Sequence, residues 1–198
     1  MDTNYSLAIK QSNTDEWYTP AGGGELIVPY LKERGYKKIL CPFDTAESEF
    51  VRVLREKGFN VAYSHIATGT DFFSINDLSD YDAVVSNPPF SKREAILERL
   101  FVSGIPFALI MNFNGLFDSR GRWKLFRKYR FEILVPLGRL RFFNSDGIIK
   151  NSPNFQSVYV CSGMLDKQIE FAECDIDEIT GRGQYPYDAI EYEQLKLL

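Results

Sequence analysis

Apolar and polar residues follow two periods along this chain, and segments of each period alternate. Residues 38–41, Lys-Ile-Leu-Cys, form a short apolar run closed by Pro42, which reads as a buried strand. Residues 46–57 place Phe50, Val53 and Leu54 on one helical face with charges elsewhere, and Gly58 follows as a stop. The pattern then predicts a strand over 59–65 and another over 81–86. A helix over 92–101 carries Ile96, Leu97, Leu100 and Phe101. Beyond it come a strongly apolar strand over 106–111, a basic helix over 123–129 and a strand over 131–135. Upstream, Gly22-Gly23-Gly24 is expected to break the chain before a helix over 25–34, which Gly35 ends. Residues 140–143 and 157–162 are expected to pair as an antiparallel hairpin with a long connection, and 169–171 as an edge strand. Strands alternating with helices predict an α/β fold with a mostly parallel sheet covered on both faces. In such sheets ligands bind beyond the carboxyl ends of the strands.

Length and composition narrow the class. The 198 residues suggest one domain over 1–198, with a polar, weakly ordered lead-in over 1–14. Hydrophobic residues make up 44% and charged residues 25%, as in a globular protein stable in water. No apolar run approaches the roughly 20 residues of a membrane span. The first fifteen residues lack the apolar stretch of a signal peptide. Cys41, Cys161 and Cys174 are scattered, which fits reduced thiols in a cytoplasm. A single histidine and no Cys-x-x-Cys argue against a metal site. The net charge of −4 speaks mildly against a nucleic-acid partner. The distribution speaks the other way: residues 120–130 hold Arg120, Arg122, Lys124, Arg127, Lys128 and Arg130 with no acid. Arg139 and Arg141 follow, so one face of the molecule is expected to be basic.

The sharpest chemical feature is Ser86-Asn87-Pro88-Pro89-Phe90, at the end of the predicted 81–86 strand. Two prolines fix φ and donate no hydrogen bond, so the turn is stiff. Asn87, before a proline, is biased to an extended conformation. Its amide oxygen and the Pro88 carbonyl are both acceptors suited to the two N–H donors of an amino group. Phe90 supplies a flat face for stacking a base that has left its helix. A plain Pro-Pro turn ending a strand is the bland alternative.

Asn-Pro-Pro-Phe resembles the catalytic loop of the amino-methyltransferases. Together with Asp15-Glu16-Trp17-Tyr18-Thr19-Pro20, the chain is similar to small phage-type, Dam-like DNA N6-adenine methyltransferases over about residues 15–162. The resemblance implies a Rossmann-like, seven-stranded methyltransferase fold with S-adenosylmethionine as cofactor. It implies catalytic roles for Asn87, Pro88, Pro89 and Phe90. It implies cofactor contacts from Tyr18, Thr19 and Pro20, from Pro42, Phe43 and Asp44, from His65, and from Asp71 and Phe72. It also implies a base pocket formed by residues 139–144. There Phe143 supplies a wall, and Arg139 and Arg141, with Arg120 and Arg122, take DNA phosphates. Double-stranded DNA, with the target base flipped, is the implied partner, and a phage or mobile-element origin is implied as well.

Two departures from the family pattern qualify the cofactor side. The family has a glycine-rich turn after the first strand, whereas this chain reads Pro42-Phe43-Asp44-Thr45-Ala46. Asp44 or Thr45 would equally serve as a helix cap. No acid follows the second strand, where the family binds ribose hydroxyls, and His65 or Ser64 stands there instead. After Phe143 only a short stretch remains, so no separate target-recognition domain is expected. Cytosine N4, an RNA amino group and a protein glutamine amide present similar NH₂ groups. A methyltransferase fold that only binds, without catalysis, is the alternative of a different class.

Overall fold

A computed structural model describes residues 19–140, 142 and 156–173. Tyr18, Arg141 and Phe143, and the segment 144–155, lie outside the described residues. The sheet has seven strands: β1 Lys38–Cys41, β2 Asn60–Tyr63, β3 Ala83–Ser86, β4 Phe107–Asn112, β5 Glu132–Pro136, β6 Ser157–Ser162 and β7 Ile169–Ala172. Their order across the sheet is β2-β1-β3-β4-β6-β5-β7. All neighbours run parallel except β6, which is antiparallel to both β4 and β5. This is the mostly parallel α/β sheet with an antiparallel C-terminal part that the alternating pattern predicts.

The helices are α1 Ala21–Glu25, α2 Val28–Glu33, α3 Glu49–Glu56, α4 Arg93–Ser103 and α5 Arg120–Lys128. Strand side chains alternate between two cores. Ile39, Cys41, Ala83, Val85, Ala108 and Ile110 meet α1, α2 and α3 on one face. Leu40, Val84, Phe107, Leu109 and Met111 meet α4 and α5 on the other. The central strands are therefore buried on both sides, which is why they read as apolar runs with no polar face.

Several boundaries differ from the sequence expectation. Gly22-Gly23-Gly24 does not break the chain but lies within α1. Close packing outweighs the low helix propensity of glycine. A side chain at Gly23 would come within 2.5 Å of Thr19 Cγ2, and one at Gly24 within 3.4 Å of Val53 Cβ. The buried Tyr159 hydroxyl donates to the Gly23 carbonyl and ties α1 to the sheet. The single helix expected over 25–34 is two, because Pro29 cannot continue a turn from Glu25 and instead opens α2. Ser157–Ser162 is antiparallel, but its partners are β4 and β5, not the segment 140–143. Leu140 and Phe142 are buried outside any strand. They are apolar because they pack inward as a covering segment, which residue type alone does not distinguish from a strand.

Glu132 explains how the last strands are held. It is buried, and its carboxylate accepts from the backbone N–H groups of Gly163, Met164 and Leu165 at 3.0–3.2 Å. The turn between β6 and β7 is thereby pinned to β5. Among the described residues no helix is long and apolar enough to cross a membrane.

Candidate active site

Strand β1 sends the chain to β2 on one side, while β3 lies on its other side. The loops leaving β1 and β3 therefore part at their carboxyl ends and open a crevice. A cavity of about 250 Å³ occupies that crevice. Its walls come from Thr19, from Pro42, Phe43 and Asp44 after β1, from His65 after β2, from Asp71 and Phe72, and from Asn87, Pro88, Pro89 and Phe90 after β3. These segments are up to seventy residues apart in sequence and share one cavity because every strand they follow is parallel. Pro20 precedes α1 and lies outside that lining.

Asp44 is the electrostatic centre of the cavity. Its side chain is buried, and no cation lies within ion-pair distance of it among the described residues. Burial pushes its carboxyl up to about 6, offset in part by hydrogen bonds from Ser86 and Ser48. The Ser86 hydroxyl donates to Asp44 Oδ2, which links the loop after β1 to the residue before Asn87. Asp44 does not cap the next helix, and neither does Thr45. Helix α3 begins at Glu49, and the Thr45 N–H donates to Ser48 Oγ at 2.9 Å within the preceding turn. Thr19, 5% exposed, has a hydroxyl with no hydrogen-bond partner among the described residues. Thr19 lines the cavity, and a buried hydroxyl in this condition lacks the partner that such groups ordinarily have.

An aromatic wall also lines the cavity. Phe43 meets Phe72 edge to face with centroids 5.2 Å apart, and Phe72 meets Phe73 at 5.5 Å. Asp71 Oδ1 accepts from the Phe73 N–H at 3.0 Å and so caps the short turn Phe72–Ser74. Arg99, on α4, fixes this wall from behind. Its guanidinium donates to the Phe72 and Ile75 carbonyls and lies 4.5 Å from the Phe72 ring centroid. His65 Nδ1 accepts from the Ala67 N–H at 3.1 Å, so the proton of the neutral ring is on Nε2.

The Asn87–Phe90 loop is braced in the same manner. Arg93 Nε donates to the Phe90 carbonyl at 3.0 Å, and its guanidinium stands 5.3 Å from the Phe90 ring centroid. Sequence reading missed Arg93, Arg99, Ser48, Ser86 and Phe73. Arg93 sits three residues from Phe90 and was open to detection by spacing. Arg99 contacts a loop 24 to 27 residues away and left no local signal.

The arginines expected on DNA fall elsewhere. Arg120 is exposed at the first turn of α5. Arg122 is engaged inside the protein, donating to the Leu116 carbonyl at 2.9 Å and the Gly115 carbonyl at 2.7 Å. Arg139 is exposed in the bend after β5, on the same sheet edge as Asn87 but three strand positions from β3. The Leu140 that follows turns back to within 3.6 Å of where a Gly23 side chain would stand, beside Thr19. Cys41 and Cys161 are buried, and burial pushes both thiols well up, so neither is a ready nucleophile.

No protein-family model matches the chain, and no curated protein matches it. Solved structures of similar shape include the precorrin-6y C5,15-methyltransferase from Geobacter metallireducens GS-15, at 11% identity and a TM-score of 0.39, over 70% of this chain and 86% of that one. They also include the methyltransferase subunit of a type I restriction-modification system from Streptococcus thermophilus, at 13% identity and a TM-score of 0.43. A modification subunit of a putative type I restriction enzyme from Vibrio vulnificus YJ016 matches at 10% identity with a TM-score of 0.42. In both restriction-system cases 85% of this chain is covered, and it spans about half the length (50%) of the subunit matched.

Proposed function

We propose that the protein is an S-adenosylmethionine-dependent methyltransferase acting on an exocyclic amino group, with N6 of adenine in DNA as its substrate. The observation that carries this reading is the shared cavity. Asn87, Pro88, Pro89 and Phe90 line it together with a buried carboxylate and an aromatic wall. The residues fit the cofactor by chemistry. Phe72 and Phe43 offer ring faces and edges to a purine, and Asp71 offers acceptor oxygens to an amino group. Asp44 offers a negative charge to a cationic ligand, which would offset the cost of keeping that carboxylate ionised away from water. The unpartnered Thr19 hydroxyl and the Nε2–H of His65 add polar contacts. When bound, the cofactor supplies an electrophilic methyl group.

The protein's own part is orientation. Asn87 Oδ1 and the Pro88 carbonyl accept from the two N–H bonds of the target amino group and leave its lone pair directed at the methyl donor. Pro88 and Pro89 hold those acceptors rigid. Phe90, braced by Arg93, stacks the extruded base. Acceleration then comes from positioning and preorganised dipoles and needs no protein nucleophile. Adenine is preferred over cytosine N4, RNA or a glutamine amide because the upstream Trp17-Tyr18-Thr19-Pro20 sequence, paired with Asn-Pro-Pro-Phe, resembles that of small DNA adenine methyltransferases.

Asn87→Ala tests the assignment. It should lower methyl transfer at least about a hundredfold, the scale on which preorganised polar groups act. The thermal shift produced by S-adenosylmethionine should survive in the mutant, because a ligand of the native state raises stability by mass action. A mutant that transfers methyl at the wild-type rate refutes the role. A wild-type protein that shows no shift at millimolar cofactor supports the second reading, a non-catalytic binding protein. The glycine-free Pro42-Phe43-Asp44 loop is the feature that favours that reading.

A further inference from the structure

Helix α5 has a face that neither the core nor the cavity uses. Arg120, Trp123, Lys124 and Arg127 fall at i, i+3, i+4 and i+7 and so form one stripe along it. All four are exposed, while Leu125 and Phe126 face the core. The Arg127 guanidinium stands 5.3 Å from the Trp123 ring centroid, so cation and ring act together. Two more rings are exposed in the loop entering α5: Phe113 is 44% and Phe117 39% exposed, beside 50% for Trp123. Large aromatic rings left in water beside cations suit a partner carrying both π-faces and negative charge. No acid occurs between Ser119 and Phe131, so the charge of the stripe is of one sign.

The helix that carries the stripe is tied to the helix that follows the Asn87–Phe90 loop. Helix α4 starts at Arg93, after a short turn over Phe90–Lys92, and its Glu94 accepts from the Ser119 hydroxyl, the N-cap of α5. Glu94 also packs against Gly121 so closely that a side chain there would collide with it. The Phe113–Phe117 loop leaves the carboxyl end of β4, the strand beside β3. Arg122 holds that loop through the Gly115 and Leu116 carbonyls. It thus positions the exposed rings and does not itself meet phosphate.

We propose that the Arg120-Trp123-Lys124-Arg127 stripe, with Phe113 and Phe117, docks a single-stranded DNA segment flanking the base that enters the cavity. The inference rests on DNA being the substrate. The rings select the single strand, because stacking requires bases that are not already paired and sealed in a duplex. The three cations take phosphates.

The test is fluorescence anisotropy with a fluorescein-labelled single-stranded 20-mer DNA, its duplex and the RNA of the same sequence, each over a range of KCl. Wild type should bind the single strand more tightly than the duplex. Trp123→Ala should weaken single-strand binding about tenfold, the size of one lost stacking contact. The triple variant R120Q/K124Q/R127Q should flatten the slope of log K against log salt by about 2, from roughly 0.7 per phosphate on a single strand. All these residues are exposed, and the cofactor-induced thermal shift of each variant reports that the fold is intact. Variants that bind single-stranded DNA as wild type does overturn the proposal, as does equal or tighter binding of duplex or of RNA. If those variants bind normally while the wild type methylates DNA, the docking surface alone is wrong. If the wild type neither binds nor methylates any DNA, the substrate reading falls with it.

Discussion

Asp44 stands at a position where glycine would let a backbone approach a ligand, and it brings a charge instead. Its carboxyl titrates at about 6 because burial disfavours the ionised form. In the unfolded chain an aspartate titrates near ~3.9. The folded state therefore binds the extra proton between these values, and stability falls as pH rises from about 4 to about 6. Above about 6 the loss is complete, on the order of 3 kcal/mol for a shift of about two units. Urea unfolding of wild type and Asp44→Asn from pH 4.5 to 7.5 measures it. Wild type should lose stability relative to the mutant over this window, and parallel curves would remove Asp44 as a buried, ionising group. At this scale Asn87-Pro88-Pro89-Phe90 was legible in the sequence, since a strand running into two prolines is a local signal. Arg122 has a structural part that its residue type did not reveal: its guanidinium closes two carbonyls of its own loop. Residue type cannot tell a surface arginine from one folded back on the chain.

The elements that shape the cavity are loops at strand ends, held by arginines from a helix behind them. Arg99 illustrates the arrangement, crossing from α4 to the Phe72 and Ile75 carbonyls and covering the Phe72 ring. Arg99→Ala should raise the dissociation constant for S-adenosylmethionine about tenfold while leaving kcat at saturating cofactor nearly unchanged. Isothermal titration and steady-state rates separate the two. Hydrogen exchange should quicken at Phe73 to Ile75. A fall in kcat with unchanged affinity would assign Arg99 to the catalytic loop instead. The strands β1, β3 and β4 were readable because strands buried in the middle of a sheet are apolar on both faces. The places of Leu140 and Phe142 were not, because buried apolar residues outside a strand and those within one have the same residue types. The glycines of α1 were misread for a related reason. Their small size serves contact with Thr19, Val53 and the Tyr159 hydroxyl, which is tertiary information.

At the scale of the whole molecule, the parallel strands gather the candidate residues on one edge of the sheet. Chemistry dispersed from Thr19 to Phe90 thus converges on one cavity, and the N-cap of α5 is tied to α4, the helix that follows the Asn87–Phe90 loop. The net charge of −4 masks the basic, aromatic face of α5, because the acids are distributed elsewhere on the chain. Order along the chain predicted the convergence, since loops after parallel strands share an edge. The depth of Asp44 and the bracing by Arg93 and Arg99 required the folded packing. The central claim is methyl transfer to N6 of adenine at the Asn87–Phe90 loop. Its most direct test is transfer of tritium from labelled S-adenosylmethionine to unmethylated DNA, followed by nucleoside separation. Label recovered as N6-methyladenine, and lost with Asn87→Ala, is the predicted result. Label in N4-methylcytosine, label in protein only, or no transfer to any DNA would contradict it.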